Sequence, residues 1–363
     1  MSIRARIMEV YNNRLPDQIP TGIYKRYLRT GEIERSARNA GLGILDFVPV
    51  VSLMSPPWHL HQGYVSEVRN VSFDVKYKWI NGALVQERRF ETPFGTLTAQ
   101  IERDPGYGSD WVKKHYIENV EDYKIMEYIV ENIVFQNQEN LISQAKKDLG
   151  EDGVVLGRMD RAPYQKLLVE LANPTKFLMD LYDNPAPVKE LIETMDARMD
   201  EQFNMAMESQ VDIIWSPDNV TADMTPPPQF EEFLLPFYKK HGDQCKKAGK
   251  IYLVHMDGRI NAIKELVAQC PFDVLDSLSF AEVSGDVPIS VAKDIWPDKV
   301  LCPNFPATIC SYPEKEIEKY LQKVVDDFGK GTPFMMQISE DIPLESYDHV
   351  LPIFTSFMKK ISK

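Results

Sequence analysis

From about residue 120 onward, short apolar runs alternate with longer amphipathic stretches. The runs are Val154-Val-Leu156, Val211-Asp-Ile-Ile-Trp215, Ile251-Tyr-Leu-Val254, Phe272-Asp-Val-Leu275, Val300-Leu-Cys302 and Phe334-Met-Met-Gln-Ile338. Each is brief, rich in β-branched or aromatic residues and bounded by polar residues, the pattern of a buried strand. Helical spacing fills the intervals: Pro185 to Ser209 with proline at its start, Phe230 to Ala248, Arg259 to Ala268, Glu314 to Phe328 and Leu344 to Ile361. Upstream, Gly43 to Val51 reads as a further strand, with Pro49 marking a strand end or edge. The stretch around Ile19–Ile23 supplies an eighth strand, and residues 2–12 and 24–40 read as helices. Strand followed by helix, repeated without long linkers, predicts an α/β fold of the (β/α)8 TIM-barrel type, one domain over residues 1–363.

One region breaks this rhythm. Val65 to Trp79 alternates apolar and polar residues, Asn81-Gly82 is a hairpin signal, and Ala83 to Thr92 alternates again. Pro93-Phe-Gly95 turns the chain into Thr96-Leu-Thr-Ala-Gln-Ile101. This is an antiparallel β-meander inserted at about 64–102, too short to bury a core alone and suited to a lid or wall. Just before it, Ser55-Pro-Pro-Trp-His-Leu-His-Gln-Gly63 sets Trp58, His59 and His61 in one loop, candidates for a substrate wall.

Composition narrows the function classes. A net charge of −13 over 363 residues, with no lysine or arginine run, argues against nucleic acid. No apolar stretch reaches membrane-spanning length, and the first residues lack a secretory pattern, so a cytoplasmic protein is expected. Cys245, Cys270, Cys302 and Cys310 match neither a disulfide framework nor a tight zinc motif and read as reduced, mostly buried thiols. Nothing fixes the oligomeric state, and a homodimer stays open.

Barrel enzymes place their chemistry at the carboxyl ends of the strands. The polar residues there are Arg158, Asp160 and Arg161; Asp218 and Asn219; His255 and Asp257; Ser279 and Glu282; Asn304; and Ser339, Glu340 and Asp341. His255 and Asp257 stand out. Two apart at a strand end, they point to one side, where an imidazole and a carboxylate can bind a metal or share a proton. Gly258 then lets the backbone turn away.

Several segments carry a family resemblance: Val211-Asp-Ile-Ile-Trp-Ser-Pro-Asp218, Pro226 to Tyr238, His255-Met-Asp-Gly258, Ser284-Gly-Asp-Val-Pro288, Ile338-Ser-Glu-Asp-Ile-Pro343 and Thr92-Pro-Phe-Gly-Thr-Leu97. Together they resemble the uroporphyrinogen decarboxylase superfamily, in particular its cobamide-dependent methyltransferases. The resemblance implies a barrel with its site at the carboxyl face. Decarboxylases of that superfamily grip substrate carboxylates through an arginine-rich motif near the amino terminus; here that region reads Arg14-Leu-Pro-Asp-Gln-Ile-Pro-Thr-Gly22. Porphyrinogen decarboxylation is therefore not expected. The methylcobamide:coenzyme M methyltransferases bind zinc through His-x-Cys and a later cysteine; the matching positions here are His255-x-Asp257 and Ser339-Glu-Asp341.

Carboxylates in place of thiolates give a harder ion that prefers oxygen ligands. The resemblance thus implies a corrinoid-dependent methyltransferase that demethylates a methoxylated aromatic with zinc assistance and delivers the methyl group to a separate corrinoid protein. His255, Asp257 and Glu340 are the expected metal ligands or acid–base groups, and Asp218 a site-lining carboxylate. Trp58, His61 and Trp215 are expected to hold the substrate, Asp160 and Arg161 to orient it. Glu282 is an alternative ligand to Glu340, and Cys302 or Cys310 could be drawn in. No Asp-x-His-x-x-Gly corrinoid motif occurs, so the cobamide is expected on another polypeptide. Two other readings stay open: a metal-free decarboxylase-like lyase with Asp218 or Asp257 as proton donor, and a non-catalytic corrinoid-binding barrel.

Overall fold

The computed structural model describes residues 1–54, 67–103, 110–281 and 283–362, so Trp58, His59, His61 and Glu282 lie outside the described residues. The chain divides into two compact units. The first comprises Met1–Val48, Glu139–Arg158 and Gln210–Lys363; the second comprises Pro49–Gln138 and Met159–Ser209.

The first unit is the barrel. Its strands are β1 (Thr21–Tyr24), β2 (Leu42–Pro49), β3 (Gly153–Arg158), β4 (Ile213–Ser216), β5 (Ile251–His255), β6 (Val274–Leu278), β7 (Val300–Pro303) and β8 (Met336–Ile338). They form one eight-stranded sheet in the order β7-β6-β5-β4-β3-β2-β1-β8. Parallel bridges from Leu301 to Phe334 and from Asn304 to Gln337 join the two ends. The expected barrel, its eighth strand at Ile19–Ile23 and the strand end at Pro49 are all present.

Alternate residues of the strands point inward. Leu45, Val154, Leu156, Ile213, Trp215, Ile251, Leu253, Val274, Val300 and Cys302 form one buried core. Ile7, Val10 and Tyr11 of the helix Ile3–Tyr11 join that core from below. Arg4 fixes this helix, its N–H donating to the Glu151 carbonyl at 3.0 Å and its guanidinium pairing with Asp212 at 3.2 Å. Both acceptors lie just before strands, at the amino end of the barrel. The helix is a plug there, and the open end is the carboxyl face.

The outer helices are amphipathic. Glu314–Phe328 buries Ile317, Leu321, Val324, Val325 and Phe328, one stripe at helical spacing. Two expected helices are shorter than their patterns. Over 24–40, Tyr24 ends β1, Lys25–Tyr27 makes a 3-10 turn, and the helix starts only at Glu32, after Gly31. Over 259–268, a 3-10 turn at Asn261–Ile263 precedes a helix confined to Lys264–Ala268.

The second unit holds the meander. Ser72–Ile80, Ala83–Thr92, Gly95–Arg103 and Asp110–Lys114 form a four-stranded antiparallel sheet. Asn81 and Gly82 both have left-handed backbone, φ 52° and 82°, as a two-residue type I′ turn requires. The insertion runs on to Lys114, beyond the expected end near 102, because Asp110–Lys114 continues the alternation as a fourth strand. Helices Val120–Glu131, Pro174–Asp183 and Pro185–Glu208 belong to the same unit. No helix among the described residues is long and apolar enough to cross a membrane.

Barrel closure depends on one close approach. A Cβ on Gly153 would lie 1.9 Å from the Ile44 carbonyl oxygen, so β2 and β3 can meet there only over a glycine. Gly153→Ala is expected to destabilise the protein by about 3 kcal/mol, the upper part of the overpacking range. A urea midpoint unchanged from wild type would show that the strands yield without cost.

Candidate active site at the carboxyl end of the barrel

The site is built around a carboxylate inside the barrel. Asp276 lies within the buried run of β6 and is fully inaccessible to solvent. Burying an ionised carboxylate is costly unless it is well hydrogen-bonded, and this one has donors from other strands. Its Oδ2 accepts from the Tyr24 hydroxyl of β1, from Trp215 Nε1 of β4 at 2.9 Å and from His255 Nδ1 of β5 at 3.1 Å. Its Oδ1 accepts from Gln337 Nε2 of β8 at 2.7 Å. Burial pushes the carboxyl upward, but His255, Tyr24 and Gln337 outweigh it and hold it below its ordinary value.

His255 is the register partner of Asp276 on the neighbouring strand. With Nδ1 turned to Asp276 and 2.9 Å from the Tyr24 oxygen, the other ring nitrogen faces the opening, 3.4 Å from Asp257 Oδ2. Burial opposes charge on the ring, yet Asp257 and Asp276 together lift its pKa to about 10. At neutral pH it is an imidazolium clamped between two carboxylates.

Asp257 is placed by its neighbours. Asn219, itself in left-handed backbone at φ 52°, donates from Nδ2 to Asp257 Oδ2 at 2.8 Å and from its N–H to the His255 carbonyl at 3.0 Å. A Cβ on Gly258 would meet the Thr221 Cβ at 2.4 Å, so the loops after β4 and β5 touch. Asn304 anchors the opposite rim. Its Nδ2 donates to Glu340 Oε1 at 2.6 Å, while the Ala307 N–H donates to Glu340 Oε2 at 3.0 Å. The Ser339 hydroxyl donates to Asn304 Oδ1 at 2.7 Å and lies 2.7 Å from Ser277 Oγ. Ser277 also has left-handed backbone, φ 63°, where β6 shifts register between Leu275 and Leu278. Burial is the main cause that raises the Glu340 carboxyl; Asp257 adds to it, and Ala307, His255 and Asn304 pull the other way.

Aromatic rings gather beside this cluster, Tyr24 and Trp215 buried and Phe47 and Tyr27 half-buried. Phe47 stacks on Trp215 with centroids 5.0 Å apart, and Tyr24 meets both edge-on at 5.7 Å. Tyr27 lies 6.1 Å from Tyr24 and within the field of Asp341, Glu340 and Asp257.

The structure brings some of the expected residues together. His255 and Asp257 pair as expected, and Glu340 shares their electrostatic environment. Trp215 holds Asp276 with its indole N–H while its ring faces Phe47. Asp218 is fully buried, accepts from Tyr238 of the helix Leu235–Lys247 at 2.8 Å and raises the Tyr252 hydroxyl. Asp160 and Arg161 belong to the second unit. There Asp160 accepts from the Met54 N–H at 2.6 Å, Gln202 Nε2 at 2.7 Å and Lys166 Nζ at 2.5 Å, while Arg161 pairs with Glu170 at 2.9 Å. Cys302 and Cys310 are buried, and burial raises both thiols, Cys310 to about 12.

Each Glu340 oxygen accepts one hydrogen bond, from Asn304 Nδ2 and from the Ala307 N–H, and among the described residues no three His, Cys, Asp or Glu side chains are gathered to hold an ion. What the arrangement offers is a proton on His255, set beside a flat aromatic surface.

The reading of sequence missed Asp276, Tyr24 and Gln337. A usable signal was present for the first: a lone carboxylate amid Val274-Leu-Asp-Ser-Leu278, where an apolar strand has no reason to bury a charge unless other groups meet it.

The pKa of His255 makes stability depend on pH. A folded value of about 10 against an ordinary 6.5 gives stability fully present below pH 6.5 and lost as pH rises from there to about 10. The unfolding midpoint is expected to fall across that window in wild type and to flatten in His255→Gln. Asp276→Asn is expected to cost about 3–5 kcal/mol, since it strands a buried cation, and to lower the His255 pKa, read from its ring proton shifts. An unchanged titration would remove Asp276 from its assigned place.

Comparisons with known proteins bear on this site only through the fold and family. A structure described as a methyltransferase from Methanosarcina mazei matches all of both chains, with a TM-score of 0.58 and 12% identity. A structure of the pneumococcal exo-beta-D-N-acetylglucosaminidase StrH matches 97% of this chain and 86% of its own, with a TM-score of 0.43 and 9% identity, too distant to argue from. Comparison with curated protein sequences finds no match. The family model for uroporphyrinogen decarboxylase (URO-D) matches residues 105–360, well over half of the chain. The protein is therefore a member of the uroporphyrinogen decarboxylase family.

Proposed function

We propose that the chain is a methyltransferase that removes the methyl group from a methoxylated aromatic and passes it to the corrinoid of a separate protein. The observation that carries this reading is the His255 imidazolium held between Asp257 and Asp276 at the barrel mouth. Family membership and the likeness to a methyltransferase along the whole chain support it.

The chemistry follows from matching acidities. His255 has a pKa of about 10, close to the value of about 10 for a phenol. Such an acid leaves a neutral ether alone but donates well as charge builds on a departing aryloxide. The bond between oxygen and methyl carbon breaks with its electron pair left on oxygen, and that oxygen takes the proton from His255 Nε2. The methyl carbon bonds to the nucleophile, and the products are a phenol and a methylated acceptor. A reduced corrinoid, when its protein is bound, supplies that nucleophile. Asp276 keeps Nδ1 protonated and the ring fixed throughout, Asp257 stabilises the charge on the ring, and the paired Phe47 and Trp215 rings offer a flat surface to the arene.

His255→Ala is expected to lower turnover by about 10²–10⁴-fold, the usual worth of a general acid. The loss is expected to shrink for anisoles whose phenols are strongly acidic, such as nitro-substituted ones, which leave without a proton. An equal loss for good and poor leaving groups would sink the proton-donor role. Elemental analysis guards the same point: about one zinc per wild-type chain, absent from His255→Ala, would replace the proton with a metal. Substrate turnover by the isolated chain, with no corrinoid protein, would instead favour a decarboxylase-like lyase in which the imidazolium protonates a carbanion.

A further inference from the structure

The meander sheet ends in a strand that no other described strand covers. Ser72–Ile80 occupies one edge of the four-stranded sheet and pairs with Ala83–Thr92 through nine successive register partners without a bulge. The opposite edge, Asp110–Lys114, is only five residues long and its pairing shifts register at Gln100/Ile101, both ordinary means of blunting an edge. Among the described residues the nine-residue edge has no such protection apart from its lysines. It also exposes large side chains: Tyr77 is 48% accessible, Trp79 75% and Ile80 41%.

Turn geometry fixes which backbone groups point outward. Ile80 and Ala83 flank the two-residue turn and form a hydrogen-bonded pair. Ser72, Asp74, Lys76, Lys78 and Ile80 therefore direct their N–H and C=O groups inward to the neighbouring strand. Phe73, Val75, Tyr77 and Trp79 direct theirs to the open edge.

We propose that this edge pairs antiparallel with the same edge of a second copy of the chain, about a two-fold axis through Lys76. The strand is complementary to itself in that register. Phe73 of one copy faces Trp79 of the other, and Val75 faces Tyr77; each of these is a pair whose outward backbone groups can exchange two hydrogen bonds. The exposed aromatic rings at one end of the strand thus gain apolar partners from the other end. On the opposite face Asp74 of each copy meets Lys78 of the other. The two Lys76 side chains meet on the axis, but each is already paired with its own Asp74 at 3.1 Å and has Glu87 as register partner. The result is one continuous eight-stranded sheet across two chains. A two-strand seam of this kind lies at the small end of specific interfaces, below about 1,200 Å², so the dimer dissociates on dilution.

The register gives a sharp test. The four native cysteines are all buried, so an introduced thiol on the edge reports alone. Lys76→Cys places two Cα atoms about 4.5 Å apart in a non-hydrogen-bonded pair, within disulfide range. It is expected to form a disulfide-linked dimer under mild oxidation of the full-length protein. Asp74→Cys alone and Lys78→Cys alone are expected to form no disulfide, their own copies lying about 14 Å apart along the strand, while an equimolar mixture of the two cross-links. Adding Trp79→Lys to Lys76→Cys is expected to slow cross-linking at least tenfold with circular dichroism unchanged. Cross-linking of Asp74→Cys alone as fast as Lys76→Cys, or no faster cross-linking of Lys76→Cys than of the remote surface variant Lys315→Cys, would overturn the proposal. Sedimentation of the wild type as a pure monomer at high concentration would overturn it too.

Discussion

Everything at the barrel mouth depends on keeping Asp276 ionised without water. A bare carboxylate in that position would take up a proton or disrupt the strand that carries it. It stays charged because donors from β1, β4, β5 and β8 converge on its two oxygens. The same bonds that solvate the charge hold these strands in register around β6. They also fix the histidine ring and its protonation state. Structure and chemistry therefore share one set of contacts here. A substitution among them acts on the barrel and on the proton together.

Much of this was legible in the sequence. Eight apolar runs set between amphipathic stretches give a barrel from periodicity alone, since a buried parallel strand has little freedom in composition. The pair His255 and Asp257 was legible because a spacing of two at a strand end leaves both side chains on one side. Asp276 was not, for a physical reason: it lies in the middle of the strand Val274–Leu278, not beyond its end, and its partners are far apart in the chain. Asp218 shows the opposite difficulty. It follows β4 in the expected place, but the chain turns it to the outer wall, where Tyr238 holds it. Which way a residue faces after a strand ends depends on the loop's backbone, as the left-handed Asn219 shows, and no periodicity encodes that.

The exchange of thiolates for oxygens at the positions of the resemblance changes what the site can hold. Two carboxylates beside an imidazole compete with any ion for the ring. The imidazolium between them is a stable state of the protein in its own right. Glu340, raised by burial and tied to Asn304 and Ala307, is fixed at the rim.

The helix Ile3–Tyr11 has a consequence for the charges above it. By packing Ile7, Val10 and Tyr11 against the strand core, it lays a floor of side chains beneath the buried Asp276. Water that would screen the pair of Asp276 and His255 from the amino end is kept away by that floor. The attraction between the two is felt at close to its full strength because of a helix that touches neither of them.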